Sequence, residues 1–268
     1  MNSKDVSVVI RCGNDPNVLG CISSIDFESE IIVSFTGNPE LADSIRKTGA
    51  LCIESQPGNL SGVSNTGLEA ASGKYVIITD SDTVFEPGTL EKLKNALMHY
   101  KIARARIRFL NPSNRFFPGL IASARDYVNS LRLVYTPGIA IRKELVGELQ
   151  GRLFNEIVPY AVDADLDLRI KRAGIPVAFL DCSYIEHSAI TLKHDLRAAF
   201  RIGKGCAKSI SFWNADGRLG YISAMALKGV PPCSLPDLMK KKGLMVLIYQ
   251  SIWDMFYWTG FIVQRFGN

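Results

Sequence analysis

Apolar runs of four to six residues alternate with helical patterns along the first hundred positions of this chain. Val and Ile at successive positions predict strands that are buried on both faces. Pro at the start and Gly at the end of the intervening segments predict helices between these strands. The predicted strands are 6–10, 30–35, 50–53 and 75–78, and the predicted helices are 16–25, 39–47, 60–72 and 87–100.

This alternation predicts the fold class. One strand and one helix recur roughly every 20–25 residues, which is the spacing of βαβ crossovers. Because parallel sheets need helices on both faces, we predict an α/β fold with a doubly wound, mostly parallel sheet. Gly73 is interpreted as the C-cap of the third helix, and Pro87 as the start of the fourth.

The second half of the chain keeps the same alternation. Its predicted strands are 103–110, 135–142 and 177–180, and its predicted helices are 121–133, 160–172 and 192–213. The first of these strands carries Arg at every second position, which predicts one charged face. We expect that face, formed by Arg104, Arg106 and Arg108, to contact solvent rather than an anionic acceptor.

The last segment joins three lysines, over 240–242, to an apolar and aromatic-rich stretch over 243–266. The stretch is long enough to span a bilayer, but Asp254 at its centre opposes that interpretation. Its apolar residues recur at helical spacing, so we predict amphipathic helices at the C-terminus. We favour contact of 240–266 with a membrane surface, and the alternative is packing on the core or on a partner subunit.

Composition narrows the class of protein. The formal net charge of +5 fits an anionic ligand or an anionic membrane, and it is too small to indicate a nucleic acid partner. The six cysteines form no Cys-x-x-Cys pair, which argues against a structural zinc site. With no signal peptide before the strand that begins at Val6, we expect a cytoplasmic protein that can lie peripherally on the cytoplasmic face of a membrane.

Two carboxylates that follow the strand 75–78 are the first candidates for chemistry. Asp80 and Asp82 stand one residue apart, at the carboxyl edge of a parallel sheet, where α/β folds bind ligands. Carboxylates this close repel each other, and a hard cation such as Mn²⁺ or Mg²⁺ would neutralise them and bridge to phosphate oxygens. The pattern therefore indicates a metal–diphosphate site, and the alternative is a solvated turn.

The order of these segments resembles the donor half of family 2 glycosyltransferases of the GT-A fold. The resemblance covers about residues 5–95 and is carried by VSVVIRCGNDPNVLGCISSI, EIIV and NLSGVSNTGLEAASGKYVIITDSDTVFEPGTLEKL. It implies an enzyme that transfers a sugar from a UDP- or GDP-sugar with Mn²⁺ or Mg²⁺. It also implies that Asp80 lies near the ribose and that Asp82 binds the metal and the diphosphate.

The resemblance returns in the helix predicted over 160–172. Asp163 matches the general base of the family, and Val162 replaces the Glu that usually precedes it. A base is needed because inverting transfer removes a proton from the attacking acceptor hydroxyl. Asp165 and Asp167 are interpreted only as acids that complement the helix dipole.

Further candidate ligands of the metal and the diphosphate follow later in the chain. His187 stands at the interval from Asp163 at which the family often places a His that reaches the metal, and the alternative is a structural His at a strand end. Arg201 and Lys204, in the helix over 192–213, either close over the diphosphate or face solvent. The Gln-x-x-Arg-Trp motif of processive family members is absent here, which indicates a non-processive enzyme.

Because the chain departs from the family pattern, the sequence does not identify the nucleotide of the donor. Phe35 and Thr36 replace the acidic pair that usually ends the second strand, and Ser64 replaces an Arg. Arg11 stands where the family often has Pro or Thr, and it is either a donor ligand or a surface charge. The remaining candidates for the donor pocket are Asp15, Glu54 and Asn65.

We therefore divide the chain into a catalytic domain and a C-terminal helical segment. The domain covers 1–215, with a donor half over about 1–100 and an acceptor half over about 101–215, and the segment covers 216–268. The expected acceptor is a saccharide or a lipid-linked acceptor, and the oligomeric state is open. The alternatives are an inactive glycosyltransferase-like scaffold subunit and a sugar nucleotidyltransferase, which would need a Gly-rich basic loop that the sequence lacks.

Overall fold

The computed structural model describes residues 5–213, 230 and 232–267, and its centre is an eight-stranded sheet. The strands are β1 (Val6–Cys12), β2 (Glu30–Phe35), β3 (Leu51–Glu54), β4 (Tyr75–Asp80), β5 (Thr83–Phe85), β6 (Ile102–Phe109), β7 (Ile139–Arg142) and β8 (Val177–His187). Their order across the sheet is β3-β2-β1-β4-β7-β6-β8-β5. The first four neighbours pair in parallel, as do β6 and β8, whereas β7 and β5 pair antiparallel.

Helices cover both faces of this sheet. They are α1 (Val18–Ser23), α2 (Pro39–Lys47), α3 (Leu60–Ala70), α4 (Thr89–Ala96), α5 (Phe116–Ser130), α6 (Leu145–Glu148), α7 (Val162–Arg172), α8 (Leu192–Trp213), α9 (Leu235–Lys242) and α10 (Leu244–Phe266). Val8 and Ile10 of β1 pack with α1, α2 and α4, whereas Val9 packs with α3, α6 and α7. The predicted α/β fold, with a mostly parallel sheet between helices, is confirmed.

A third apolar cluster joins α5, α8, α9 and α10. Two glycines let α8 and α10 approach closely: a Cβ at Gly203 would lie 1.9 Å from the carbonyl oxygen of Tyr257, and one at Gly260 would lie 2.0 Å from that of Phe200. The backbones of the two helices are therefore in contact, which only glycine permits. This cluster attaches the C-terminal helices to the sheet domain through α5 and α8.

The predicted C-terminal helices are present, although residues 214–229 and 231 of that region lie outside the described part. The polar pair of α10 faces inward, where Gln250 Nε2 donates to Asp254 Oδ1 at 2.8 Å. The exposed apolar residues of α10 are Leu244, Met245, Ile248, Ile252, Met255, Ile262, Val263 and Phe266. In the described part of the chain, no helix combines the length and apolarity that crossing a membrane requires.

Some predicted boundaries are wrong. The C-cap of α3 is Ala71, and Gly73 instead packs on β1, where a Cβ would lie 2.7 Å from the nitrogen of Ser7. The N-cap of α4 is Gly88, whose φ of 75° is left-handed, so Pro87 precedes the helix. α5 starts earlier than predicted and β7 later, and β8 continues past its predicted end through an irregular pairing with β6.

The Arg face of β6 is not uniformly solvated, which corrects the prediction. Arg104 is 3% exposed because α5 covers this part of the strand. It donates from Nη1 to the carbonyl oxygen of Leu133 at 3.0 Å and from Nη2 to Asn129 Oδ1, and burial lowers its pKa to about 10. Arg106 and Arg108 remain partly or largely accessible and pair with carboxylates.

Asp165 joins α7 to α8, so its interpretation as a dipole complement alone is wrong. The carboxylate is fully buried and accepts from Arg169 Nε at 2.9 Å, Ser209 Oγ at 2.6 Å and Trp213 Nε1 at 2.9 Å. Asp167 is also buried and accepts from a backbone N–H in the segment before β7. Both acids thus stabilise tertiary contacts that position α7.

Candidate active site

The carboxyl ends of β1 and β4 lie side by side and open into a cavity of about 1060 Å³. The cavity runs from the loop after β1 past the start of α7 to a wall formed by α5, α8 and α10. The sequence-predicted residues that line it are Arg11, Asp15, Asp80, Asp82, Asp163, His187 and Arg201. The edge of the sheet therefore brings together side chains that are far apart in the sequence.

Arg11 is a buried cation in this cavity. It is 4% exposed, so the alternative of a surface charge is wrong. Nε donates to Asp80 Oδ1 at 2.7 Å, Nη2 donates to Thr136 Oγ1 at 2.9 Å, and Nη1 lies 3.5 Å from Ser64 Oγ. The guanidinium fixes the Asp80 carboxylate and fills the space beside Ser64.

The turn after β4 is tied to the loop after β1. Ser81 Oγ donates to Asp15 Oδ2 at 3.0 Å, and the backbone nitrogen of Ser81 donates to the carbonyl oxygen of Arg11 at 3.0 Å. The other oxygen of Asp15 accepts from the backbone nitrogen of Asn17 at 3.0 Å. These bonds hold the two loops in one position.

Asp82 and His187 face each other because β5 pairs antiparallel with β8. His187 Nε2 lies 3.4 Å from Asp82 Oδ2, and Nδ1 lies 2.9 Å from the carbonyl oxygen of Ser188. Since a carbonyl oxygen only accepts, Nδ1 carries a proton, so that whenever the ring is neutral its lone pair is on Nε2 and points towards the carboxylate. Two facing acceptors call for a proton or a cation between them, which fits a metal-ligating pair.

The charges around Asp82 support the same interpretation. Burial raises the pKa of Asp82, His187 opposes that rise, and Asp80 and Asp15 add to it. Among the residues that the structure describes, no group of three or more His, Cys, Asp or Glu side chains could hold a metal alone. A cation at this pair would therefore take its remaining ligands from phosphate or water oxygens.

Asp163 lies in the first turn of α7, on the wall of the same cavity. Burial raises its pKa to about 6, and the Arg11 guanidinium limits the rise. One oxygen accepts from the backbone nitrogen of Ala164 at 2.9 Å. A carboxylate with a pKa near the working pH is suited to accept a proton from a substrate.

The backbone before Asp163 is held in an unusual conformation by α8. Ala161 has a φ of 61°, a left-handed value that is uncommon for a residue with a side chain. Gly205 of α8 packs directly on this turn, and a Cβ there would lie 2.0 Å from the carbonyl oxygen of Tyr160. The sequence did not indicate this role of Gly205, because its partner lies 45 positions away along the chain.

Three predicted donor ligands do not line the cavity. Asn65 is buried, and its Nδ2 donates to the carbonyl oxygen of Phe154 and to Glu156 Oε1, both at 2.9 Å, so it holds a loop. Glu54 is exposed at the end of β3, and Lys204 lies on a part of α8 outside the cavity. Their positions leave them out of the proposed site.

The cavity also contains residues that the sequence did not indicate. Tyr135 and Thr136 lie in the segment before β7, which was predicted to be a strand. Arg125 of α5 and the pair Gln250 and Trp253 of α10 form part of the far wall. The sequence pattern alone shows that Gln250 is a polar residue within an apolar helix. It does not show which surface of the protein Gln250 faces.

Comparisons with known proteins agree with the fold. Residues 7–132 match the family model described as Glycosyl transferase family 2. The mannosyltransferase PcManGT from Pyrobaculum calidifontis, in complex with GDP-Man and Mn²⁺, has a TM-score of 0.66 at 16% identity, with 100% of this chain and 88% of that chain covered. S. aureus TarS 1–349, in complex with UDP-GlcNAc, has a TM-score of 0.55 at 15% identity, with 98% and 92% covered. No curated protein matches the sequence.

The fold is of the GT-A type, and the family model indicates a glycosyltransferase. At 15% and 16% identity the two solved structures establish the fold, and the family model supplies the sequence relationship. Residues 7–132 match the model of glycosyl transferase family 2, and the resemblance seen in the sequence is confirmed over that part of the chain.

Proposed function

We propose that this glycosyltransferase moves a sugar from a nucleoside diphosphate sugar to an acceptor hydroxyl, non-processively and with inversion. The observation that carries the proposal is one cavity that holds both Asp163, whose pKa is raised to about 6, and the facing pair Asp82 and His187. A proton acceptor and a site for the leaving group thus border the same space. The acceptor would be a saccharide, either free or linked to a lipid.

The nucleotide and the diphosphate are assigned to the end of the cavity that holds Asp80. The carboxylates of Asp15 and Asp80 can accept hydrogen bonds from ribose hydroxyls, and the guanidinium of Arg201 can bind phosphate oxygens. The pair Asp82 and His187 would hold Mn²⁺ or Mg²⁺, which supplies charge neutralisation of the diphosphate when bound. The two structurally similar enzymes bind GDP-Man and UDP-GlcNAc, which supports a GDP- or UDP-sugar.

In the proposed reaction the acceptor oxygen forms a bond to the anomeric carbon as the bond from that carbon to the diphosphate breaks. The hydroxyl proton passes to the carboxylate of Asp163, and the nucleoside diphosphate leaves with the bonding electron pair. Attack on the face opposite the leaving group inverts the anomeric configuration. Arg11 keeps Asp163 ionised over a wider pH range and holds Asp80 in place.

Calorimetry with UDP and GDP, with and without Mn²⁺, tests the donor site. We expect one nucleotide to bind in a Mn²⁺-dependent manner and Asp82→Ala to weaken that binding at least about tenfold, because a ligand of the cation is lost. Glu54→Ala is the matched control, since Glu54 is an acid outside the cavity. Binding of neither nucleotide under either condition would favour the inactive scaffold subunit instead.

We also propose that the exposed face of α10 lies on an anionic membrane surface. The exposed apolar residues extend along a helix of 23 residues, about 34 Å long. Asp254, the acid of this helix, is buried on the other face, and Lys240 is exposed just before it. An apolar face without exposed acids, beside basic residues, is complementary to anionic lipid headgroups.

Sedimentation with lipid vesicles tests this surface. Wild type is expected to bind phosphatidylglycerol vesicles better than phosphatidylcholine vesicles, and the double variant Ile248→Asp/Ile252→Asp to bind at least about tenfold more weakly. Leu51→Asp, an exposed apolar position on β3, is the control. If the double variant binds vesicles as wild type does, or instead converts a dimer into a monomer by light scattering, the membrane proposal is wrong.

A further inference from the structure

The far end of the cavity is continuous with the site of the proposed base. Tyr135 and Arg125 line the same cavity as Asp163. The guanidinium carbon of Arg125 lies 4.9 Å from the ring centroid of Trp253, and Gln250 stands one helical turn before that ring. A ligand that reaches Asp163 can therefore extend along the cavity to α10.

Two polar atoms at this end have no hydrogen-bond partner among the described residues. They are the acceptor Gln250 Oε1 and the donor Trp253 Nε1. The two side chains are 1% and 3% exposed, and both residues line the cavity. Buried polar atoms are nearly always paired in native proteins, so these two call for a partner that supplies both a donor and an acceptor.

Arg125, the cation beside Trp253, is paired within the protein. Arg125 Nη2 donates to Asp195 Oδ1 at 2.6 Å, and the hydroxyl of Tyr249 also donates to Asp195. With its guanidinium paired to a carboxylate and placed over the Trp253 ring, Arg125 is not a free anion site. This end therefore fits a neutral polar group better than a phosphate.

We propose that Gln250 and Trp253 form an acceptor subsite that binds hydroxyl groups of a saccharide, with Oε1 accepting from one hydroxyl and Nε1 donating to another. A sugar hydroxyl both donates and accepts, which matches the two unpaired atoms. The assignment rests on the proposed transferase function and extends it to the residues that bind the acceptor saccharide. It also gives α10 a role in the site itself.

Indole resonances give a test that does not depend on activity. The chain has three tryptophans, Trp213, Trp253 and Trp258, so the ¹⁵N-labelled full chain shows three indole N–H signals. We expect methyl glycosides of glucose, galactose, mannose or N-acetylglucosamine to shift the Trp253 signal, which Trp253→Phe identifies by its loss. No shift with any of them, or a shift with inorganic phosphate in their place, would overturn the subsite.

Kinetics with the same glycosides give the second measurement. Trp253→Phe keeps an aromatic ring and removes the donor. Gln250→Met keeps the length of the side chain and removes the acceptor together with the bond to Asp254. Each is expected to raise the acceptor KM about tenfold, the effect of one lost hydrogen bond, with the nucleotide Kd unchanged. Trp258→Phe, on the same helix but outside the cavity, is the control. An unchanged acceptor KM in both variants would overturn the proposal.

The two measurements separate this inference from the function on which it rests. If glycosides shift the Trp253 signal while no nucleotide binds, the subsite is supported and the transferase proposal fails. If transfer occurs and neither the signal nor the acceptor KM responds, the subsite is wrong. A lower KM for dodecyl than for methyl glycosides would indicate a lipid-linked saccharide, since Val128, Ile190 and Ile202 also line the cavity.

Discussion

Asp163→Asn is expected to lower the rate of sugar transfer by about 10²- to 10⁴-fold while nucleotide binding stays within about twofold of wild type. An amide has the same size as the carboxylate and can still accept from the backbone nitrogen of Ala164, but it cannot take the proton of the acceptor hydroxyl. Single-turnover kinetics at saturating donor measure the effect on chemistry. Transfer by the variant at the wild-type rate would show that Asp163 is not the base.

The pH dependence of the wild type follows from the same carboxyl group. Its pKa is raised from 3.8 to about 6, and the active form is the carboxylate. The value of kcat/KM is therefore expected to rise with pH up to about 6 and to be level above it. A profile that is flat from about pH 5 to about pH 7 would contradict the assignment.

Stability gives an independent check. Because the folded chain holds this proton more tightly than the unfolded chain, the ionised group opposes folding above about pH 6, and the effect disappears below the unfolded value of 3.8. Asp163→Asn is thus expected to stabilise the protein by about 1–2 kcal/mol near neutral pH, with a gain that shrinks as the pH falls. Asp165→Asn is the matched control: it should destabilise, since this carboxylate accepts three hydrogen bonds.

The sequence was most informative where structure is set by neighbouring residues. β2, α2 and α8 have the predicted bounds, because Val and Ile runs, Pro at a helix start and helical periodicity act locally. Asp80, Asp82 and Asp163 could be singled out because the carboxyl edge of a parallel sheet is a known position for ligands and the family pattern marks them. Their arrangement in one cavity follows from strand order.

The features that could not be predicted from the sequence depend on contacts between residues that are far apart along the chain. Arg104 was expected in solvent because nothing in the strand itself shows that α5 covers it. The role of Asp165 depends on Ser209 and Trp213, which lie 44 and 48 positions further on. Gln250 is a polar residue within an apolar helical pattern, but only the packing of α10 on α8 turns it towards the cavity.

The position of Arg11 explains one departure from the family pattern. The family often has an Arg where this chain has Ser64, and the Arg11 guanidinium lies 3.5 Å from Ser64 Oγ while it pairs with Asp80. Strand β1 thus places a guanidinium beside the position at which the family pattern has an Arg. We infer that the site requires a guanidinium at this place, whether a strand or a helix carries it.

An exchange of the two positions tests this interpretation. Arg11→Thr is expected to lower kcat/KM at least about 30-fold, because Asp80 loses its buried partner. It should also move the acid limb of the pH profile upward, since Arg11 limits the rise in the pKa of Asp163. Ser64→Arg alone would place two guanidinium groups together and destabilise the fold.

The double variant Arg11→Thr/Ser64→Arg is expected to recover at least about tenfold of the lost activity and to return the acid limb towards its wild-type position. Recovery of both would show that one positive charge between Asp80 and Asp163 serves the donor and the base together, whichever element carries it. A double variant that is folded but no more active than Arg11→Thr would mean that the bond to Thr136, which only an Arg on β1 makes in this structure, is the part that matters.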